Sequence, residues 1–264
     1  MFGALTGGAL VAWATALVRI RQRPARLLRT NVSGELVPAV LGDGIALALV
    51  LGAVAAFLWD ARRAGSAGLM VAMGFWAAGK ADDLRGNEPA RGFAGHLRAA
   101  AKGRVTGGLI KILVGGATGL AAAALLVDGQ LAIVLCGAAS ALAANLLNLF
   151  DRAPGRAAKV WLVAAVPALI ASPNVWAVIV LCGVGAVIGV LVLDLRAAGM
   201  LGDAGANPLG AVLGLGAAAG AGRMGQGVIV LVLLAANLAS ERWSFSTIIE
   251  RTPWLNSFDK LGRN

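Results

Sequence analysis

Asp82 and Asp83 stand side by side at the end of an apolar run, in Gly79-Lys80-Ala81-Asp82-Asp83. Asp151 closes a second run, Asn145-Leu146-Leu147-Asn148-Leu149-Phe150-Asp151. Asp203 sits in Gly202-Asp203-Ala204-Gly205, just ahead of Asn207-Pro208-Leu209-Gly210. The chain has only 13 acidic residues, so their placement at run ends is informative. Adjacent aspartates repel, and their pKa values separate unless a cation joins them. Mg2+ suits such a site, because it takes oxygen ligands, keeps waters and bridges to substrate phosphates. A Gly-Asp-x-Gly turn adds a carboxylate on backbone free to approach a phosphate closely. Beside many Arg and Lys, the three acidic sites read together as a metal–diphosphate site of the kind phosphoryl transfer needs. Taken singly they have plainer readings: a solvated helix end for Asp82-Asp83 and an ordinary Gly-rich turn for Asp203.

Asn145, Asn148 and Asp151 recur at i, i+3 and i+6, which puts them on roughly one helix face. Two amides and a carboxylate at the end of an apolar helix are costly against lipid, so they are expected to face the bundle interior and mark a site. Interhelical hydrogen bonding for packing is the other reading. Lys111, inside Gly107-Gly108-Leu109-Ile110-Lys111-Ile112-Leu113, must snorkel to the interface or meet an anion. His96, the single histidine, lies in the basic stretch Arg91-Gly92-Phe93-Ala94-Gly95-His96-Leu97-Arg98. It is either a solvated side chain or a phosphate contact and proton carrier.

The elements that must position these residues are membrane helices. Charged residues are 14% of the chain and the mean hydropathy is +0.81, whereas an ordinary soluble domain carries roughly 25% charge. So much apolar surface needs an apolar solvent. Apolar runs recur at roughly 3–20, 41–59, 65–79, 105–127, 130–148, 157–171, 174–193, 207–222 and 226–240. A bilayer crossing takes about 20 residues, so an all-α, polytopic membrane bundle of about nine spans is expected, as a single domain over 1–264. The runs do not alternate as barrel strands would. Abundant Gly and Ala suit close helix packing in lipid. The apolar start is expected to be the first span and not a removed signal peptide. Cys136 and Cys182 lie inside apolar runs and are expected to be small packing residues.

The net charge of +10 is not the footprint of nucleic-acid binding, because no basic patch is interleaved with aromatics. It orients the bundle instead. With the N-terminus outside, the inside loops hold Arg19, Arg21, Arg23, Arg26 and Arg29, then Lys80 to Arg104, then Arg152, Arg156 and Lys159, then Arg196 and the tail. Outside are only Arg62, Arg63 and Arg223. The positive-inside rule then places the C-terminus and all three acidic sites on the cytoplasmic side.

The order of motifs, an Asp-Asp pair, Asn-x-x-Asn-x-x-Asp, then Gly-Asp-x-Gly-x-x-x-Leu-Gly, resembles the polyprenyl-phosphate N-acetylhexosamine-1-phosphate transferases. The resemblance runs from about Arg29 to about Gly210. It implies transfer of a sugar-1-phosphate from a UDP-sugar to a membrane polyprenyl phosphate, with Mg2+ and release of UMP, in a bacterial cytoplasmic membrane. It implies Asp203 as a magnesium ligand, and Asp82 and Asp83 at the metal and lipid-phosphate end, one assisting deprotonation of the lipid phosphate. It implies Asn148 and Asp151, with Asn145 beside them, in the nucleotide and diphosphate pocket, and Lys111 on a substrate phosphate or the nucleotide. The family's His-rich motif in the last cytoplasmic loop is absent, since no histidine follows His96. Arg152 stands where the family has glycine, and Arg152 and Arg156 become the expected phosphate contacts. An inactive relative serving as a lipid-binding scaffold is the competing reading, and a homodimer fits either. A transporter should show matched halves, and none is visible.

Overall fold

The computed structural model describes residues 1–22, 24–30, 34–85, 101–103 and 106–263. Among these the chain is helical nearly throughout. Nine long helices follow in order: α1 Phe2–Gln22, α2 Leu41–Leu58, α3 Arg62–Arg85, α4 Gly107–Leu126, α5 Gln130–Phe150, α6 Arg156–Ala171, α7 Ala177–Leu195, α8 Asp203–Gly220 and α9 Arg223–Arg242. Two short helices, α10 Phe245–Arg251 and α11 Pro253–Lys260, end the chain. Between α1 and α2 a small antiparallel hairpin pairs β1 Leu28–Thr30 with β2 Leu36–Pro38, Arg29 opposite Val37. Each of the nine apolar runs has become a helix. The hairpin, α10 and α11 gave no periodic signal, being three to eight residues long.

The protein is a membrane-type α-helical bundle. Among the described residues six helical segments are long and apolar enough to cross a bilayer: Phe2–Gln22, Leu41–Leu58, Gly108–Leu126, Gln130–Phe150, Asn174–Leu195 and Arg223–Arg242. The sequence led us to expect about nine. The other three have physical reasons for a weaker apolar signal. Helix α3 carries Arg62, Arg63, Lys80, Asp82, Asp83 and Arg85. Helix α6 has only 16 residues. Helix α8 is built of Gly and Ala around Asp203 and Asn207.

Helix α8 can be weakly apolar because it does not face lipid. Every residue from Ala204 to Gly216 is buried. It packs against α5 and α3, and more lightly against α6 and α2. Small side chains let the neighbouring backbones come close, which is how membrane helices gain dispersion energy without a hydrophobic drive. A Cβ on Gly210 or Gly214 would strike the Ala143 or Ala139 carbonyl of α5. Buried indoles finish the seam: Trp161 Nε1 donates to the Leu209 carbonyl at 2.9 Å and Trp176 Nε1 to that of Val212 at 3.0 Å. Cys136 and Cys182 are buried free thiols. Helix α9 is the opposite case, with Gln226 its sole buried residue.

Consecutive long helices reverse direction, so one end of the bundle gathers the ends of α1, α3, α5 and α7 with the starts of α2, α4, α6 and α8. Asp43 at the start of α2 shows this directly. It accepts from Arg19 Nε of α1 at 2.9 Å and from Trp76 Nε1 of α3 at 3.1 Å. Lys80 Nζ of α3 reaches both of its oxygens at 2.7 and 2.8 Å. At the other end Arg63 bonds the Leu125 carbonyl at 2.8 Å and approaches Asp128 at 3.4 Å.

Gly79 of α3 touches the Asp203 carbonyl of α8, where no Cβ fits without displacing backbone. Gly79→Ala is expected to destabilise by about 1–3 kcal/mol, the range for overpacking a close contact. Gly116→Ala on α4 meets nothing within 4 Å and should be near neutral. Thermal unfolding in one detergent, both variants beside the parent, checks the difference.

Candidate active site at the start of α8

Four carboxylates converge where α8 begins. Gly202 enters the helix with φ +65, a left-handed value that favours glycine. A Cβ there would also lie 2.8 Å from Asp83 Oδ2 and 3.0 Å from Ala39. The turn therefore requires Gly202 twice over, for conformation and for space.

The first turn of a helix leaves backbone N–H groups without intrahelical partners. Here other helices satisfy them. Asp83 Oδ1 accepts from the Asp203 N–H at 3.1 Å and Oδ2 from the Ala204 N–H at 3.0 Å. Asp151 accepts from the Gly202 N–H. So the end of α3 and the residue after α5 together cap α8, and their carboxyl oxygens sit at the positive end of its dipole. Asp203, the first residue of α8, is thereby fixed among them.

Around Asp203 the remaining groups are polar and mutually bonded. Lys111 Nζ of α4 forms an ion pair with Asp203 Oδ2 and lies 3.9 Å from Asp82 Oδ2. Asn148 of α5 hydrogen-bonds the Asp203 carboxylate, and the Asp82 and Asp203 carboxyls are themselves within hydrogen-bonding reach. Two carboxylates that close need a proton or a cation between them. Burial pushes the Asp151 carboxyl up to about 8, with the charges of Asp194 and Asp203 adding to the effect.

Beside this cluster a small, partly open pocket is lined by Val37, Asp151, Arg152, Ala153, Pro154, Asp194, Ala197, Gly199 and Met200. Asp194, at the end of α7, accepts from the Gly155 N–H, and its Oδ2 is buried with no hydrogen-bond partner among the described residues. Arg152 is exposed at the pocket wall.

Several expected site residues come together and others do not. Asp82, Asp83, Lys111, Asn148, Asp151 and Asp203 share one site, with Arg152 next to it. Asn145 is elsewhere: its Nδ2 donates to Asn237 Oδ1 of α9 at 2.6 Å. Six residues turn a helix by about 600°, so Asn145 and Asp151 face directions roughly a third of a turn apart. The packing role weighed for these amides describes Asn145. Arg156 is likewise not a free phosphate contact. It is buried, with Nε and NH2 on the two oxygens of Asp259, both at 2.8 Å, and NH1 on Ser246 Oγ at 2.7 Å. His96 lies outside the described residues. Sequence reasoning passed over Asp194 and Asn207, although an acid closing an apolar run and an amide inside a span are both functional signals. Both side-chain atoms of Asn207 are buried without a partner among the described residues.

Among the described residues no group of three or more His, Cys, Asp or Glu side chains is arranged to hold a metal. A two-carboxylate site is still suited to Mg2+, which binds through one or two carboxylates together with waters and substrate phosphates. Asp82 and Asp203 supply hard oxygen donors in hydrogen-bonding reach of each other, and this donor set fits that ion. No family model matches the chain, and a search of curated proteins finds no match.

The raised Asp151 pKa has a definite pH signature. From its ordinary 3.8 to about 8, the folded state holds a proton that the unfolded chain has released, so stability falls as pH rises through that window. Asp151→Asn, which cannot ionise, is expected to flatten that slope and gain relative to the parent toward pH 8. Thermal unfolding of both proteins across a pH series measures it.

Proposed function

We propose that the protein transfers a sugar-1-phosphate from a UDP-sugar to a membrane polyprenyl phosphate, releasing UMP. The supporting observation is the convergence of Asp82, Asp83, Asp151 and Asp203 with Lys111 and Asn148 at the start of α8, from four different helices and their ends. A cluster with surplus negative charge and one lysine suits a charged diphosphate only when a divalent cation is present. On this reading Asp203 and Asp82 hold Mg2+, which when bound neutralises the diphosphate and the lipid phosphate. The nine long helices all cross the bilayer, the N-terminus is outside, and the site opens to the cytoplasm of a bacterium. The strict alternation of helix direction and the basic residues favour this orientation.

The reaction is an in-line displacement. An oxygen of the lipid phosphate forms a bond to the β-phosphorus of the donor. The bond from that phosphorus to the bridging oxygen breaks, and UMP departs with the oxygen and its electron pair. Lys111 offsets charge on the transferring phosphoryl group. Asp83 acts indirectly, since both of its oxygens are taken by α8 N–H groups. It holds Asp203 in place, and Asp82 is the member of the pair left to accept a proton from the lipid phosphate. Asn148 orients the donor.

The decisive assay uses purified protein in detergent with polyprenyl phosphate, Mg2+ and a panel of radiolabelled UDP-sugars, scored for UMP and labelled lipid. Asp203→Asn is expected to lower turnover by about 100-fold or more, the scale for losing one group that stabilises transition-state charge. Asp83→Asn is expected to come close to that through misplacement of Asp203. Full activity in both variants would remove the site assignment. Retained lipid binding with no product from any donor would favour the scaffold reading.

A further inference from the structure

The last helix, α11, turns a carboxylate inward and large apolar side chains outward. In a water-soluble protein the apolar side of a terminal helix faces the core. Here Asp259 of α11 is 6% exposed and points inward, while Trp254, Phe258 and Leu261 are 71%, 41% and 66% exposed. Trp254 and Phe258 are one turn apart on one side of α11, and Leu261 follows its last residue.

The inward side is bound to the segment that carries Asp151. Arg156 Nε and NH2 hold both oxygens of Asp259 at 2.8 Å, and Arg263 NH2 reaches Oδ1 at 2.6 Å. Lys159 Nζ donates to the carbonyls of Phe258, Asp259 and Leu261. Arg263 Nε donates to the Pro154 carbonyl at 2.7 Å. Before the aspartate, Phe150 stacks on Phe245 of α10, with ring centres 5.1 Å apart. Asp151 and Arg152 therefore lie between two attachment points of the tail.

The helix that leads into the tail is also apolar on its exposed side. Helix α9 is exposed along Val228, Leu231, Val232 and Leu238 and ends at Arg242, followed by Trp243, which is 60% exposed. Tryptophan favours the headgroup boundary, where its ring is apolar and its N–H stays wet. An amphipathic helix with aromatics outward lies in that boundary plane.

We propose that residues 243–261 are an interfacial clamp. Trp254, Phe258 and Leu261 embed in the phospholipid headgroup–acyl boundary of the leaflet on the carboxylate side, and Asp259 and Phe245 grip the Asp151 loop. The bilayer surface thereby sets the position of one wall of the pocket. This inference needs only the membrane bundle and is independent of the reaction proposed above.

The test uses the full chain with Cys136→Ala and Cys182→Ala, reconstituted in phosphatidylcholine–phosphatidylglycerol nanodiscs. Trp254→Cys or Glu250→Cys carries a bimane probe. The probe at 254 is expected to lose most of its emission to lipid spin-labelled near the headgroup and little to an aqueous nickel chelate, with the reverse at 250. Equal aqueous quenching at both positions overturns the proposal, and so does protection of position 254 from both quenchers, which would mean a second protein surface covers it. For the grip, thiol labelling at Ala153→Cys, now buried, is expected to quicken several-fold in Asp259→Asn and to return toward the parent rate in Asp259→Glu. Where Asp259→Asn does not fold, Phe245→Ala serves in its place. An unchanged labelling rate overturns the grip.

Discussion

The carboxylate of Asp83 on the first N–H groups of α8 is the contact that organises this protein. A helix start inside a membrane bundle has unpaired donors, and in a medium with little water they must find acceptors in the chain. Asp83 brings them from the end of α3, and Asp151 from the end of α5. Those bonds bring three helix ends to one depth. They also gather negative charge that the bundle must then balance. Lys111 supplies part of the balance from α4. The same capping that builds the fold thus gathers the carboxylates of three helix ends in one place.

The second organising feature is the small-residue seam of α8. Because Ala204 to Gly216 are all buried, α8 is surrounded by α2, α3, α5 and α6, and its N-terminus opens into their ends. A bulkier helix would hold those neighbours apart and leave Asp83 short of the N–H groups it caps. Packing density on α8 therefore controls the separation of the carboxylates. The network on Asp43 does the analogous work for α1, α2 and α3, joining Arg19, Trp76 and Lys80 a turn away from Asp83. The tail does it for the Asp151 loop.

Much of this was legible in the residues. The nine apolar runs gave nine helices because hydropathy and length report what the solvent around a helix must be. Asp82, Asp83, Asp151 and Asp203 were legible because acids are few and costly in such a chain, so their positions at run ends carry meaning. Lys111 was legible for the same reason. The number of crossings was less so: α3, α6 and α8 are interrupted by charge, short, or sheltered by other helices, and hydropathy alone does not distinguish sheltered from soluble. Asn145 and Asn148 looked equivalent in spacing, and only the rotation of α5 assigned one to α9 and the other to Asp203.

The sequence by itself determined the medium, the helical periodicity and the inventory of groups able to meet a phosphate or a cation, because these follow from composition and local spacing. Tertiary structure decided which groups meet. It made Asp83 a cap and left Asp82 beside Lys111, since a pair of neighbours on a helix points in directions about 100° apart. It took Arg156 away from the site by burying it against Asp259, more than 100 residues later in the chain. Contacts of that range depend on how helices are arranged in space, and no local pattern encodes them.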